Sequence, residues 1–484
     1  MSAALRFGAQ LIEPAQLERR AACAATGLER AGVADGDVVA VMLYNCPAYL
    51  EAMLACRRLG AYCCPINWHY KADEAAHILR DSGAKVLVID PKLLEQVQAG
   101  IPESLSVVKT WEEWREQYPP WNGAPRTPRG SMPYTSGTTG RAKGVRRTPP
   151  DGAALRAITE VNTAYLGVRP GSRAFVSAPL YHSAPNLYAM HAALHAELLV
   201  LEERFDAEAT LALIERHRVS DAYLVPTMYV RMLRLPAETR RRYDLSSLRF
   251  VCSTGSPCAP DVKRAMIDWL GPVITEFYAS SETGGITFID SRDWLAHPGS
   301  AGRPVGSAVV RILDERGREL PPGEIGLIYC RQPAYPDFSY NNNPAARAAI
   351  ERDGLWSVGD MGYLDADGYL YVADRKSDMV ISGGVNIYPA EIEAALMTLP
   401  GVADCAVFGV PDEEFGEALA AAVQPQSGKG FSEQQIKDYL KSRIAGYKVP
   451  RIVTFHEALP REDSGKIFKR LLREPYWRGA GRKI

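Results

Sequence analysis

Apolar positions in about the first 300 residues alternate between two spacings. Helical spacing runs through residues 17–31, 48–59, 72–82, 207–217 and 261–269. Continuous apolar runs of strand length lie between these segments, at residues 38–44, 85–89, 173–178, 222–225 and 273–277. Strands separated by helices of this length predict βαβ units and parallel sheets.

The pattern changes near residue 302. Short apolar runs follow one another, at residues 309–313, 326–330, 355–357 and 369–372. The turn sequences between them are rich in Gly, Pro and Asp, which predicts antiparallel hairpins. Segment 377–484 mixes helical and strand patterns and indicates a small α+β domain, and the polar run 374–377 is the expected boundary.

The composition is that of an ordinary globular protein. A length of 484 residues suggests roughly three domain-sized pieces. Lys and Arg number 56 and Asp and Glu 57, so the net charge is -1. This balance argues against dedicated binding of nucleic acid or of an anionic membrane.

Targeting signals and metal motifs are not evident in the sequence. There is no run of 18 apolar residues, and the N-terminus lacks the apolar stretch of a secretory signal. The nine cysteines are scattered without a CxxC pair, which is typical of reduced cysteines. We therefore expect a cytoplasmic protein without a membrane span.

Segment 134–144 is the most informative part of the chain. It combines three glycines, four hydroxyl side chains and two cations, Arg141 and Lys143. Glycines let backbone N–H groups converge on an anion, and the hydroxyls can bind phosphate oxygens or Mg²⁺. The Gly-Lys-Ser/Thr element of a Walker A loop is missing. A phosphate-binding loop is the favoured interpretation, and a flexible surface turn is the alternative.

Segment 276–285 follows a predicted strand. Open α/β sheets bind ligands at the carboxyl ends of their strands. Tyr278 could stack on a base there, and Glu282 could hold Mg²⁺ beside a polyphosphate. Taken alone, the segment favours a strand-end turn with a surface glutamate.

Two later segments carry single charged residues of interest. In segment 354–360, Asp360 follows a glycine and could accept both hydroxyls of a ribose, completed by Arg375. In segment 459–467, Lys466 lies on a polar Ser-Gly loop before a basic helix. Taken alone, the first is a hairpin aspartate and the second a solvated lysine.

In this order and in one chain, the four segments resemble the acyl-adenylate-forming synthetase superfamily, which includes acyl-CoA synthetases, adenylation domains of peptide synthetases and luciferases. Further matching segments lie at residues 179–185, 225–227, 359–362 and 383–393. Within this superfamily, the sequence pattern most resembles that of CoA ligases for fatty and aryl acids. It departs from the family at Ala142, where proline is usual, and at the hinge position Ser377, often Asp or Lys.

The resemblance implies an α/β fold with a large N-terminal adenylation domain, residues 1–374. Within it we expect two βαβ sheet subdomains, about residues 1–300, and a small distorted β-barrel subdomain, about residues 301–374. A small mobile α+β C-terminal domain, residues 375–484, would rotate about a hinge near Ser377.

The resemblance also implies the reaction. A carboxylate attacks the α-phosphate of ATP and releases pyrophosphate, and a thiol then attacks the acyl-adenylate. The partners would be a small carboxylic acid, ATP, Mg²⁺ and coenzyme A, with no nucleic acid, and the protein would be a monomer or homodimer.

The roles of individual residues are carried over from the family motifs. The implied catalytic residues are Lys466, Glu282 and His182. The ATP phosphates would be held by Thr135, Ser136, Gly137, Thr138, Thr139, Gly140 and Lys143. Adenine and ribose would contact Gly255, Ser256, Pro257, Tyr278, Asp360 and Arg375. Mg²⁺ would be held by Glu282 and Thr138, and the hinge and CoA entrance would involve Ser377, Gly383 and Gly384.

The acyl pocket would be formed by mostly small or apolar residues, namely Tyr181, Ala184, Asn186, Tyr223, Val225 and Thr254. This favours an apolar fatty or aryl acid over a charged amino acid. His182 would gate this pocket or contact the carboxylate, and a packing histidine is the alternative. The basic stretch after Gly465 is read as a solvated helix and tail, with binding of the CoA 3′-phosphate as the alternative.

Two rival functions stay open. An adenylating enzyme that passes the acyl group to an amine or to a carrier-protein thiol shares the first half-reaction, and the lack of a fused carrier domain favours CoA. A non-catalytic nucleotide-binding module would be expected to lose its catalytic cation, whereas Lys466 is present.

Overall fold

A computed structural model describes residues 3–124, 126–135, 142–256, 258–383, 385–461 and 467–478. The elements of the first part are, in chain order, β1 (Ala4–Phe7), β2 (Gln10–Ile12), α1 (Pro14–Arg30), β3 (Val38–Met42), α2 (Pro47–Leu59), β4 (Tyr62–Pro65), α3 (Ala72–Ser82), β5 (Val86–Ile89), α4 (Pro91–Val97), β6 (Ser106–Val108) and α5 (Trp111–Glu116). Strands in the order β4-β3-β5-β6 form a parallel sheet. The βαβ prediction is confirmed here.

Prolines and glycines set the helix limits of this part. Pro14 and Pro47 occupy first-turn positions of α1 and α2, where the missing N–H costs nothing. Gly60 ends α2 in the left-handed conformation, with φ 64°. The sequence placed the start of α1 three residues late because a proline at the first helical position hides the true beginning.

The second part carries the main sheet. Its elements are β7 (Tyr134–Thr135), β8 (Lys143–Arg147), α6 (Gly152–Leu166), β9 (Arg173–Val176), α7 (Ser183–His195), β10 (Leu198–Leu201), α8 (Ala207–His217), β11 (Asp221–Tyr223), α9 (Pro226–Leu233), α10 (Ala237–Arg242), β12 (Phe250–Ser253), α11 (Pro260–Leu270), β13 (Ile274–Ser280), β14 (Gly284–Ile289) and α12 (Ser291–Ala296). With β15 (Arg303–Pro304), the strand order is β15-β14-β13-β12-β11-β9-β10-β1-β2.

Strands β13, β12, β11, β9, β10 and β1 run parallel, so their carboxyl ends share one edge. The sequence prediction missed β14, and it ended β13 at residue 277. The strand continues to Ser280 and turns back antiparallel as β14, with a bulge at Tyr278 and Ala279. The pair Gly284-Gly285 resembles a loop in sequence, and the strand is formed by pairing with β13.

The third part is antiparallel. It contains β16 (Val309–Leu313), β17 (Gly326–Arg331), β18 (Phe338–Tyr340), α13 (Pro344–Ala348), β19 (Glu351–Arg352), β20 (Leu355–Trp356), β21 (Asp360–Leu364) and β22 (Leu370–Arg375). The sheet order is β19-β20-β17-β21-β22, with β16 on β17, which confirms the hairpins. Strand β18 instead pairs with β8 and ties this part to the segment after residue 142. The division into subdomains stays a prediction.

The last part forms a smaller α+β unit. It contains β23 (Val380–Ser382), β24 (Val385–Ile387), α14 (Pro389–Met397), β25 (Val402–Asp412), β26 (Gly416–Pro425), α15 (Glu433–Lys441), β27 (Ile452–Phe455) and α16 (Lys469–Trp477). Its core joins the buried faces of α14 and α15 to the sheet β24-β23-β26-β25. Across the described ranges, no helix is long and apolar enough to cross a bilayer.

Candidate active site

The turn between β13 and β14 carries Glu282. The backbone N–H of Thr283 donates to Ser280 Oγ (3.0 Å), and that of Ser280 donates to Thr283 Oγ1 (3.1 Å). Gly284 has φ +73°, and a Cβ there would lie 2.7 Å from the Tyr335 ring, so the turn needs glycine. These hydrogen bonds fix the backbone around Glu282. Glu282 itself is only 5% exposed.

Three segments meet at the Glu282 carboxylate. Its Oε1 accepts hydrogen bonds from Thr135 Oγ1 (3.1 Å) and from Tyr340 Oη (3.0 Å). Thr135 begins the predicted phosphate loop, and Tyr340 ends β18. The structure therefore brings together two residues that sequence motifs had assigned separately, Thr135 and Glu282.

Arg147 donates hydrogen bonds to the backbone of the same turn. Its Nη2 donates to the carbonyl oxygens of Ser281 (2.9 Å) and Glu282 (2.7 Å), and its Nη1 donates to that of Pro336 (3.0 Å). Burial lowers the pKa of Arg147, with nearby Tyr335 and Glu282 opposing this. Sequence reasoning missed both Arg147 and Tyr340.

Lys143 on β8 is the antiparallel pairing partner of Thr135 on β7. Its Nζ is 5.1 Å from the ring centroid of Tyr340, the tyrosine that donates to Glu282. Lys143 and Glu282 therefore share Tyr340 as a neighbour, the first through its ring and the second through its hydroxyl.

A second cluster lies on β13, β21 and β22. Tyr278 Oη donates to Asp360 Oδ2 (2.7 Å), and Arg375 Nε is 3.4 Å from Asp360 Oδ1. Asp360 and Arg375 face each other across β21 and β22. Burial, followed by the charge of Asp360, raises the pKa of Tyr278 well above its ordinary value. Three of the six residues predicted for adenine and ribose thus converge.

Two of the remaining nucleotide residues, Gly255 and Ser256, lie at the same sheet edge. Gly255 and Ser256 follow β12, which pairs with β13 through Ser253 and Glu276. Gly255 is exposed and has φ +94°. No described contact joins Gly255 to Tyr278, so the adenine role of this segment stays a prediction.

The predicted acyl side begins at the first turn of α7. Ser281 Oγ donates to Ser183 Oγ (2.9 Å), which joins the Glu282 turn to α7. His182 is the residue before that helix, and its ring centroid lies 4.2 Å from that of Tyr181. His182 therefore lies between the end of β9 and the beginning of α7.

The predicted pocket residues are mostly buried. Asn186 Nδ2 donates to the carbonyl oxygen of Leu180 (2.8 Å), and Asn186 Oδ1 accepts from Ser131 Oγ (2.5 Å). The Asn186 amide therefore links the beginning of α7 to Leu180 and Ser131 inside the protein. Whether any of these residues contacts an acid stays a prediction.

Several predicted residues lie outside the described parts of the chain: Ser136, Gly137, Thr138, Thr139, Gly140, Pro257, Gly384 and Lys466. Of the CoA and hinge residues, Ser377 accepts a hydrogen bond from Arg473 Nη1 at its carbonyl oxygen (3.3 Å). Gly383 has φ +57°, and a Cβ there would lie 2.8 Å from the Phe415 ring.

A charged cluster that the sequence did not predict lies beside Ser377. Lys469 Nζ is 2.8 Å from Glu393 Oε1, and its side chain is 17% exposed. Asp374 Oδ2 accepts from the backbone N–H of Ala390 in the first turn of α14 (2.9 Å). Burial opposes the charge of Lys469, but the carboxylates of Glu393 and Asp374 outweigh it and raise its pKa. The prediction of a solvated helix is wrong for Lys469, since two acidic residues draw it inward.

Most of the chain is similar to known protein families. Residues 3–335 match the family of AMP-binding enzymes, and residues 391–466 match the AMP-binding enzyme C-terminal domain. The chain is 38% identical over 471 residues to a feruloyl-CoA synthase of an Amycolatopsis species, covering 96% of this chain and 94% of the relative. It is 32% identical over 484 residues to a long-chain-fatty-acid–CoA ligase of Mycobacterium tuberculosis, covering 96% and 92%.

The fold also matches solved structures. ATP-bound MatB from Rhodopseudomonas palustris superposes with a TM-score of 0.87 at 29% identity, over 99% of this chain and 97% of that one. The expected α/β architecture, with a large N-terminal and a smaller C-terminal part, is thereby confirmed.

Proposed function

Because this chain belongs to the AMP-binding enzyme family, we propose that it is an ATP-dependent carboxylate–CoA ligase acting on an apolar aryl or fatty acid. The acid is first converted to an acyl-adenylate with release of pyrophosphate. The thiol of coenzyme A then takes the acyl group and releases AMP.

One observation carries the assignment of the site. Within five residues, the β13–β14 hairpin touches all three expected subsites. Tyr278 contacts the predicted ribose carboxylate, Ser281 contacts the first turn of α7 on the acyl side, and Glu282 contacts the phosphate-loop residue Thr135. A single rigid turn therefore orders nucleotide, acid and phosphates relative to one another.

ATP would lie along this hairpin. Asp360 would accept the ribose hydroxyls, because each carboxylate oxygen retains acceptor capacity beyond its bond to Tyr278 or its pairing with Arg375. Thr135 and Lys143, together with residues 136–140, would bind the β- and γ-phosphates. Tyr278 would support the adenine side, opposite Gly255 and Ser256.

Glu282 fits a role in holding Mg²⁺, because this ion is usually bound by one or two carboxylates together with substrate phosphates. The described residues contain no cluster of three or more metal-ligating acidic, His or Cys side chains, so substrate oxygens would have to complete the coordination. Thr138 would add a hydroxyl. The ion, when bound, neutralises charge on the phosphates.

The chain's own residues mainly position charges and reactants. A carboxylate oxygen attacks the α-phosphorus, the bond to the β-phosphate oxygen breaks, and pyrophosphate leaves. Lys466 would stabilise the charge that builds on the α-phosphate oxygens. In the second step the CoA sulfur attacks the acyl carbonyl, the thiol proton is lost, and AMP leaves with the electron pair of the acyl–oxygen bond.

The test is a panel of aryl and fatty acids with ATP and Mg²⁺, in which pyrophosphate, AMP and CoA thioester are measured together. Equal amounts of all three products with at least one acid are expected, and reactions lacking acid or CoA serve as controls. Pyrophosphate release that depends on an added amine, with no thioester from CoA, would contradict the ligase and favour amide synthesis. The cytoplasmic location and the oligomeric state stay predictions.

A further inference from the structure

Helix α7 leads from the active-site turn into the protein. Its first residue, Ser183, accepts the hydrogen bond from Ser281. The next residue, Ala184, is half-buried. Side chains four positions apart lie one above the other on a helix, so Tyr188 stands one turn behind Ala184 on the same face. Any acyl group that enters past Ser183 along this face meets Ala184 first and Tyr188 next.

Tyr188 packs against the end of strand β11. Its ring centroid lies 5.6 Å from that of Tyr223, with the two rings inclined at 50°. Tyr223 is the last residue of β11, at the carboxyl edge of the parallel sheet. The two tyrosines therefore meet where a pocket between α7 and the sheet would continue inward.

The space around this pair is filled. Tyr188 is 0% exposed and Tyr223 is 1% exposed. A side chain that borders a cavity wide enough for water keeps some accessible surface, so protein atoms occupy the region behind Ala184. Val225 and Thr254, which the sequence also assigned to the pocket, are buried as well. Protein interiors are close-packed, and rigid aromatic rings yield poorly to an inserted chain.

We propose that Tyr188, backed by Tyr223, closes the acyl pocket behind Ala184, so that the enzyme selects compact aryl acids and excludes long straight-chain acids. This inference rests on the proposed ligase function and decides between the two acid classes left open there. Tyr188 acts as a specificity-determining residue, because its ring occupies the volume that a long chain would need.

The experiment measures kcat/KM for pyrophosphate release with benzoate, cinnamate, octanoate and hexadecanoate. The wild-type enzyme is expected to use an aryl acid at least about a hundredfold better than hexadecanoate, a ratio typical of steric exclusion from a pocket. Tyr188→Ala should raise kcat/KM for octanoate or hexadecanoate by about tenfold or more. Met190→Ala is the matched control, since residue 190 lies about 200° around the helix from residue 188 and is half-buried. It should leave the length preference unchanged.

Three results would overturn the inference: wild-type activity that does not fall with chain length, a length preference unchanged in folded Tyr188→Ala, or the same shift in Met190→Ala. If Tyr188→Ala does not fold by circular dichroism, Tyr188→Leu carries the same test with a smaller cavity. Failure of the underlying function is seen differently, as no pyrophosphate release with any acid, and it would refute this inference as well.

Discussion

Removing the Asp360 carboxylate tests the nucleotide subsite most directly. In Asp360→Ala, Tyr278 Oη loses its acceptor at 2.7 Å and Arg375 loses its partner at 3.4 Å. Both neighbours belong to the proposed site, so the substitution removes the predicted ribose acceptor and loosens the residues around it. The predicted phosphate residue Thr135 and the predicted Mg²⁺ residue Glu282 bond to each other, and this contact should persist.

The expected loss of ATP affinity follows from the bonds removed. A hydrogen bond to a charged group contributes about 1.5–3 kcal/mol, and a ribose offers two hydroxyls to this carboxylate. The lower limit for two bonds is about 3 kcal/mol, which corresponds to a Kd for ATP on the order of a hundredfold higher. Tyr278→Phe removes the hydroxyl and keeps the ring and the carboxylate. It should therefore raise the Kd only a few-fold, about 1 kcal/mol.

The assay is isothermal titration calorimetry with ATP and Mg²⁺, supported by KM values for ATP and for the acid. Asp360→Ala should raise the Kd and KM for ATP and leave the KM for the acid nearly unchanged. Asp367→Ala is the matched control, because Asp367 is an exposed aspartate in the turn that joins β21 to β22. It removes the same charge without touching the predicted site.

Thermal unfolding separates binding from folding, since the buried Tyr278 hydroxyl is left without its acceptor and some loss of stability is expected. A folded Asp360→Ala protein whose Kd for ATP changes by less than about twofold would refute the reasoning. Asp360 would then have only a structural role, in its contacts with Tyr278 and Arg375.

Three further substitutions test other parts of the molecule. Glu282→Gln keeps an oxygen for its two hydroxyl donors and loses the negative charge; adenylation should fall by about two orders of magnitude at unchanged melting temperature, measured by pyrophosphate release over a Mg²⁺ titration. Lys466→Ala should slow adenylation by about two to three orders of magnitude and leave thioester formation from synthetic acyl-adenylate nearly intact, and equal losses in both steps would contradict its role. Burial, helped by the nearby charge of His195, lowers the pKa of His191 to about 4. An unfolded histidine titrates near 6.5, so the unfolded chain takes up this proton at a higher pH than the folded protein does. The free energy of unfolding therefore has its full value above about pH 6.5 and decreases by about 3 kcal/mol in all as the pH falls towards 4. Urea unfolding of His191→Leu between these pH values should show a flatter dependence than wild type, and an equally steep one would assign the pH effect to other groups.

The sequence predicted those site residues that sit in short motifs. Tyr278 and Glu282 follow the predicted strand 273–277, Asp360 follows the predicted strand 355–357, and this local pattern is visible without any partner. Tyr278 and Glu282 lie at the parallel-sheet edge that βαβ periodicity already implied, whereas Asp360 reaches Tyr278 from β21 of the antiparallel sheet. The predicted helix and strand limits were off by a few residues where a proline begins a helix or a strand runs on into a hairpin.

The residues that were missed depend on distant pairing. Arg147 and Tyr340 reach Glu282 because β8 pairs antiparallel with β18, nearly 200 residues further along the chain. No local spacing indicates such a pairing. Lys469 was assigned to solvent because its helix is basic, and its burial depends on Glu393 and Asp374, which precede it by more than seventy residues.

The contact between Thr135 and Glu282 spans 147 positions, and that between Tyr278 and Asp360 spans 82. During synthesis, a ribosome-bound chain that ends before Arg375 lacks part of the proposed nucleotide subsite, whatever else has folded. Contacts of such long range form late, because the intervening loop must first lose its entropy. The nascent enzyme therefore cannot hold ATP in the proposed manner until about three quarters of its length has been made. The amino-terminal sheets can collapse well before the first nucleotide is turned over.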